Sequence, residues 1–232
     1  MSGRETELKL RVDDLAALMK IAIASGGVPR PTAHQRNAFF DTADRALAQR
    51  GFLVRVRTER VGDVAKTFVT AKGPGTRQGH LTSVREEELE VDAATAASIA
   101  AGARDPLASL SQPSLSALSD SRRALVGAIA SAIGGNALVE VGAFHNERTR
   151  IPVELVAPQT LTRLSVVLEL DRTSFPGDQV HHEVEMEIPD DVDAAVAERA
   201  YDALFQRAGV VGRAAPGKSR RFFAALRGER LD

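Results

Sequence analysis

The sequence predicts an α+β fold built on an antiparallel sheet or barrel. Three observations carry this. Roughly eight segments alternate charged and apolar residues with period two. The joints between neighbouring segments are short, as antiparallel strands allow. Helical patterns are confined to the two ends and the middle of the chain.

The first alternating segment is Glu5-Thr6-Glu7-Leu8-Lys9-Leu10-Arg11-Val12, with odd positions mostly charged and even positions mostly apolar. Asp13-Asp14 then caps a helix through about Ser25, whose stripe of Leu15, Leu18, Met19 and Ala22 is expected inward. Gly26-Gly27 and two prolines end it. Gln35 to Phe40 reads as a strand, and Asp41 to Arg50 as a turn or short helix stopped at Gly51. Phe52 to Glu59, Lys66 to Lys72 and Thr82 to Val91 are further strands, the second broken by Gly73-Pro74-Gly75. Asp92 opens an alanine-rich helical stretch with a Ser/Pro-containing loop, running to about 135. It reads as an insertion in a single domain spanning 1–232, either a lid or a packing element. Strands resume at Leu138–Phe144, Glu147–Leu155, Ser165–Asp171 and His182–Ile188. Asp193 to Arg207 is amphipathic, with Val196, Ala200, Leu204 and Ala208 inward, and a short helix covers about Ser219 to Arg227.

Composition excludes several classes. Thirty Lys+Arg against 31 Asp+Glu leave a formal charge of −1, which argues against a generic basic nucleic-acid binder. Ten aromatics (nine Phe and one Tyr) are few for a base-stacking surface. Without cysteine there is no disulfide, thiolate metal site or thiol nucleophile. The charged start MSGRETELKL does not read as a signal peptide, and no apolar run is long enough to span a membrane. A cytoplasmic protein with no membrane or nucleic-acid partner is the expectation, its oligomeric state being open.

The charged faces hold the chemistry. Any one of them could be the wet side of an antiparallel sheet. Together they show a pattern: acids recur as Glu5/Glu7 and Glu183/Glu185, with Glu187 next, and bases as Arg55/Arg57 and Lys66/Lys72. Carboxylates two apart on a strand point the same way, roughly 7 Å apart at their roots, and repel unless a hard cation lies between them. Basic pairs at that spacing suit a chain of phosphates. If the sheet closes, such faces line a lumen suited to a metal–polyphosphate complex.

Glu5-Thr6-Glu7-Leu8-Lys9 resembles the N-terminal ExExK signature of the CYTH superfamily, the triphosphate tunnel metalloenzymes. Supporting motifs follow in order: His34-Gln35-Arg36-Asn37-Ala38-Phe39-Phe40-Asp41-Thr42, Leu53-Val54-Arg55-Val56-Arg57, Thr70-Ala71-Lys72-Gly73-Pro74, Val84-Arg85-Glu86-Glu87-Glu88, Phe144 through Arg148, Leu168-Glu169-Leu170-Asp171 and Glu183-Val184-Glu185-Met186-Glu187. The likeness spans essentially the whole chain, and the second motif is most similar to the inorganic-triphosphatase branch. The resemblance implies an eight-stranded antiparallel closed β-barrel with a charged lumen and helices outside. It implies Mg²⁺ or Mn²⁺ as cofactor and a small-molecule triphosphate as substrate. By the same resemblance Glu5 and Glu7 are metal ligands, and Glu183 and Glu185 complete the metal site or position water. Asp171 orients a neighbouring base. Lys9, Arg55, Arg57, Lys72, Arg85, Arg148 and Lys218 hold phosphate. Arg221 is an alternative to Lys218, Lys66 and Glu187 are possible members, and Glu87 is chosen over Glu86 and Glu88 because it shares a face with Arg85.

Two motifs are discounted. Gly212 to Ser219 matches GxxxxGK followed by Ser, but only 13 residues follow it, too few for the parallel βα unit that a P-loop needs. A terminal loop-to-helix transition bringing Lys218 to the site is the better reading. His181-His182 reads as a strand-entry surface pair, and Arg220-Arg221 as helix-surface charge. The expected activity is metal-dependent hydrolysis of inorganic triphosphate to pyrophosphate and phosphate. The alternatives are thiamine triphosphatase, class IV adenylyl cyclase, or a non-catalytic polyphosphate- or nucleotide-binding module.

Overall fold

A computed structural model of the chain describes residues 4–111 and 120–229. The Ser/Pro-containing loop expected within the middle helical stretch lies largely outside the described residues. Strands β1 (Arg4–Val12), β2 (Ala33–Asp41), β3 (Leu53–Val61), β4 (Val64–Lys72), β5 (Thr76–Gln78), β6 (Leu81–Val91), β7 (Val139–Val156), β8 (Arg163–Phe175) and β9 (Gln179–Glu187) form one antiparallel sheet. Their order is β1-β9-β8-β7-β2-β3-β4-β6-β5, and β1 pairs also with β6. The fold is thus the expected closed antiparallel barrel of eight long strands, with the three-residue β5 added. Two strands read from the sequence, Leu138–Phe144 and Glu147–Leu155, are one 18-residue strand, β7. His145-Asn146 continues the alternation, so the chain has no reason to turn there.

The chain divides into two compact units, one of residues up to 5, 35–76 and 83–143, the other of 6–34, 77–82 and 144 onward. In the first unit β4 lies between β3 and β6, with Lys72 opposite Glu86 and Thr70 opposite Glu88. One face of these strands packs on α2 (Ala46–Gln49), α3 (Ala93–Ala100), α4 (Pro106–Leu110) and α5 (Asp120–Ile133). Leu47, Val54, Val69, Ile99, Leu110, Leu125 and Ile129 are fully buried there. The helices of the 92–135 stretch therefore supply half of this core. Asp41 ends β2 and starts α2: its carboxylate accepts from the backbone N–H of Thr42 (2.7 Å), Leu47 (2.9 Å) and Ala48 (3.1 Å).

In the second unit β9 is central, with β1 on one side and β8 on the other, and β7 pairs the far edge of β8. Even positions of β1 and β8 (Leu8, Leu10, Leu164, Leu168) join Val184 and Met186 against α1 (Leu15–Ser25) and α6 (Ala194–Ala208). Asp14 caps α1 by accepting from Ala17 N at 2.8 Å, and Gly26 ends it with φ 70°. The buried stripe of α1 is Leu18, Ile21 and Ser25; Leu15 and Met19, expected inward, are more than half exposed. On α6 the buried residues are Ala197, Ala200, Tyr201, Leu204 and Phe205, so the inward face is turned from Val196 and Ala208 toward the two aromatics. Gly212 is required by close approach: a Cβ there would lie 2.8 Å from both Leu10 and Phe205 side-chain carbons. The last helix, α7 (Lys218–Leu226), buries Arg221, Phe222, Ala224 and Ala225.

If the middle helices are part of the core, Ile129→Ala should cost about 2–5 kcal/mol, read from the denaturant midpoint. A loss well under about 1 kcal/mol would show a detachable lid instead.

Candidate active site

Each unit carries its own cluster of charge on the strand face that its helices leave open. In the second unit the cluster is fixed by register. Lys9 stands opposite Glu185, Asp171 opposite Glu183, Arg148 opposite Asp171 and Arg150 opposite Glu169. Arg148 is bidentate to Asp171 (Nε–Oδ1 2.8 Å, Nη2–Oδ2 2.6 Å), reaches Glu185 at 2.7 Å and pairs with Glu169. Lys9 lies 2.6 Å from Glu7 and 3.0 Å from Glu185. From the first residue of α7, Lys218 Nζ enters a cage of three carboxylates, at 2.8 Å from Asp171, 3.0 Å from Glu183 and 2.6 Å from Glu185. Behind them Asn146 donates to Asp171 at 2.8 Å and accepts from Thr173 at 2.7 Å. The single tyrosine, Tyr201, donates to the Val184 carbonyl at 2.6 Å and ties α6 to the backbone between Glu183 and Glu185.

The first unit repeats the principle. Lys72 lies 3.1 Å from Glu5 and pairs with Glu86. Arg55 is within 3.3 Å of Thr70 and 3.5 Å of Glu88, while Arg57 bonds Glu88 at 2.8 Å with its guanidinium over the Phe68 ring. Buried Thr70 donates to Glu88 at 2.7 Å.

Burial would keep such acids protonated, and here it is outweighed. For Glu185 the burial penalty is the largest effect, yet Lys218, Lys9 and Arg148 together hold its carboxyl well below the usual range. Asp171 is likewise lowered against burial by Arg148 and Lys218, and Glu183 by Lys218 and Arg221. The carboxylates in turn raise Lys9, Lys218 and Arg148 against the burial that opposes their charge. In the first unit the acids diverge. Burial raises Glu5, which shares a hydrogen bond with Glu86, while Lys72 overcomes burial to lower Glu86.

The structure therefore gathers Glu7, Lys9, Arg148, Asp171, Glu183, Glu185 and Lys218 in one cluster, and Glu5, Arg55, Arg57 and Lys72 in the other. Three sequence expectations need correction, and a fourth residue, Glu187, is placed. Arg85 and Glu87 do lie on one face, but it is the helical face: Glu87 sits opposite Ala71 and pairs with Arg122 of α5 at 3.1 Å, and Arg85 is exposed. Glu86 and Glu88 take the place assigned to Glu87. Lys66 is half-exposed and pairs with Glu90 at 3.1 Å at the outer end of β4. Glu187, a possible member, stands opposite Glu7 on the same strand face, is exposed, and lines a cleft of about 650 Å³ with Pro152, Val167, Glu169 and Pro189. Finally, His181 and Arg221 are buried, not surface charge: Arg221 pairs with Glu183 at 2.5 Å and with His181 Nδ1 at 2.8 Å. Glu169 and Arg150 were not singled out from the sequence. Their signal was spacing, two residues from Asp171 and Arg148 on the same strand face, and for Glu169 also its place in the Leu168–Asp171 motif. Residues 212–219 form no P-loop, since Lys218 opens α7 beside antiparallel strands and its ammonium sits in the acid cage.

A divalent cation is tested by the donors present. Carboxylate oxygens are the ligands that Mg²⁺ and Mn²⁺ take, and Glu183 Oε1 is buried with no hydrogen bond among the described residues. No three acids converge on an open point among the described residues, because lysine and arginine nitrogens fill the spaces between them. The donors are of the type a hard cation takes, with cationic nitrogens standing between them.

A sequence profile described as the CYTH domain matches residues 3–223. Comparison with curated proteins finds no match. Among solved structures, the chain is similar to HpAC1 of Hippeastrum, a candidate adenylyl cyclase reported to reveal a dominant triphosphatase activity. The two are 23% identical, with a TM-score of 0.74, covering 98% of this chain and 97% of that one. It is also similar to a candidate adenylate cyclase of Bacillus halodurans (16% identity, TM-score 0.60, 95% and 99% coverage). The PH1819 protein of Pyrococcus horikoshii is a third likeness (14%, 0.53, 89% and 92%).

Asp171 and Glu185 ionise below the usual range when folded, so their contribution to stability is complete above about pH 4, where unfolded carboxylates titrate. It is lost as pH falls through their lower folded values. Lys218→Met removes the cation that both share, so its acid-unfolding midpoint, followed by circular dichroism, should move to higher pH. An unchanged midpoint would mean that Lys218 does not hold these acids ionised.

Proposed function

The chain belongs to the CYTH domain family, and from that premise we propose that it is a divalent-metal-dependent triphosphatase whose preferred substrate is inorganic triphosphate. The observation that carries the reading is the buried acid pair Glu183/Glu185, held ionised beside Lys9, Arg148 and Lys218, with both Glu183 oxygens buried without a hydrogen bond and only Oε2 ion-paired. Burying so many charges is expensive, and hydrophobic replacements would often serve stability as well. Charges kept at that cost are better explained by a ligand that needs both signs.

Lys9, Arg148 and Lys218 in one cluster, and Arg55, Arg57 and Lys72 in the other, are the groups assigned to phosphate, their nitrogens exchanging carboxylate for phosphate oxygens. Arginine's rigid fork orients the chain, while the lysines supply compact charge. Glu5, Glu7, Glu183 and Glu185 are the carboxylates assigned to Mg²⁺ or Mn²⁺, which when bound polarises phosphoryl oxygens as a Lewis acid. Once Lys218 turns to phosphate, Glu183, still held at Oε2 by Arg221, and Glu185 accept from and orient a water. Asp171 keeps its bidentate hold on Arg148 and fixes the guanidinium. No covalent nucleophile is required, since phosphoryl transfer is promoted by positioning and charge stabilisation.

Phosphate release from tripolyphosphate, thiamine triphosphate and ATP, each with Mg²⁺ and Mn²⁺, tests this. Tripolyphosphate should be turned over fastest, giving pyrophosphate and phosphate. Formation of cyclic AMP with pyrophosphate from ATP would make the protein a cyclase, and tight tripolyphosphate binding without turnover would make it a binding module. Glu7→Gln should lower turnover about a hundredfold or more; full metal-dependent activity in that variant would remove Glu7 from the site. The corrected strand faces give a paired expectation. Glu86→Gln should impair turnover, whereas Glu87→Gln should lower thermal stability and leave turnover near wild type.

A further inference from the structure

We propose that Arg221 and His181 form a positioning pair that orients Glu183, and that Arg221 is not a phosphate ligand. The inference rests on the triphosphatase reading above, but its geometry is independent of the substrate. The Arg221 side chain is 1% exposed. Its Nε donates to the Pro216 carbonyl at 2.9 Å, its Nη1 to His181 Nδ1 at 2.8 Å, and its Nη2 lies 2.5 Å from Glu183 Oε2. The Phe175 ring closes the remaining side, 5.3 Å from the guanidinium carbon and 5.2 Å from the His181 ring. Each nitrogen of the fork thus faces a partner, Nη2 by ion pairing without a hydrogen bond, and is shielded, leaving no edge for a phosphate.

A guanidinium has no acceptor, so His181 Nδ1 must accept, and the imidazole is neutral with its proton on Nε2. His181 therefore acts as the third anchor of the arginine and is not a cation ligand through Nδ1. The consequence falls on Glu183. Both of its oxygens are buried without a hydrogen bond, but only Oε2 is ion-paired, with Arg221 at 2.5 Å and Lys218 at 3.0 Å. The carboxylate is consequently oriented with one oxygen anchored and the other presented. Because Lys218 and Arg221 are three apart on α7, the same docked turn sets both.

The test compares wild type, His181→Phe and Arg221→Lys by calorimetric Mn²⁺ titration and by steady-state kinetics with tripolyphosphate. His181→Phe preserves the ring and removes the acceptor. Arg221→Lys keeps the charge but cannot reach three partners at once. Both should weaken Mn²⁺ binding and lower kcat by about 10–100-fold, with KM for tripolyphosphate within about twofold of wild type. A raised KM with kcat and Mn²⁺ affinity unchanged would make Arg221 a phosphate ligand and overturn the proposal. A lowered melting temperature with all three parameters unchanged would overturn it too, leaving a purely structural pair. If Arg221→Lys does not fold, His181→Phe decides, since it keeps the arginine. If wild type neither binds nor hydrolyses tripolyphosphate, the functional reading fails, and the Mn²⁺ titration still decides the pair.

Discussion

Opposite charges set across from one another on antiparallel strands are the constraint on which this protein depends. Lys9 faces Glu185, Arg148 faces Asp171, Arg150 faces Glu169 and Lys72 faces Glu86. Each pair joins neighbouring strands, so register and charge compensation are one requirement. A slip of one residue would turn these groups onto the helical face and drive leucines and valines to the other side. The apolar cores are the mirror of that arrangement: Leu8, Leu10 and Leu168 in one unit and Val54, Val69 and Ala71 in the other occupy the alternate positions of the same strands.

Strand pairing alone leaves the acids of β9 under-compensated. Asp171, Glu183 and Glu185 lie together in a buried place, and β1 and β7 bring Lys9 and Arg148 against them. The deficit is met from outside the sheet by α7, whose first turn delivers Lys218 and Arg221. Gly212 allows the preceding chain to pass close over Leu10 and Phe205, and Tyr201 pins the β9 backbone from α6. The helices therefore complete the electrostatics of the sheet as well as cover it. In such a network cations already present hold the carboxylates ionised, and a bound anion and metal would redistribute these contacts without creating charge.

Much of this was legible in the sequence because a strand's side chains alternate strictly. Glu5, Glu7, Lys9, Arg55, Arg57, Lys72, Arg148, Asp171, Glu183 and Glu185 could be named from spacing and resemblance, and all stand in the two clusters. The misreadings share a cause. In the run Glu86-Glu87-Glu88 identity carries no phase, and only the pairing with β4 shows that Glu86 faces Lys72 while Glu87 faces the α5 side with Arg122. On α1 the apolar residues Leu15, Leu18, Met19 and Ile21 ring too much of the helix for composition to choose a face; packing against α6 and the sheet chooses Leu18 and Ile21.

His181 and Arg221 mark the remaining limit. Nothing local distinguishes Arg221 from Arg220, or His181 from His182; which one is buried depends on where α7 docks against a strand some 40 residues earlier in the chain. The sequence by itself determined the antiparallel fold class, the residues that alternate to one face of each strand and the balance of acids and bases, because these follow from period two and composition. Tertiary structure alone decided which members of a charge run turn inward, how Lys218 enters the acid cage and that Arg221 is buried behind Glu183. Those depend on distances between residues remote in the chain, and a buried ion pair exists only where folding brings both partners together.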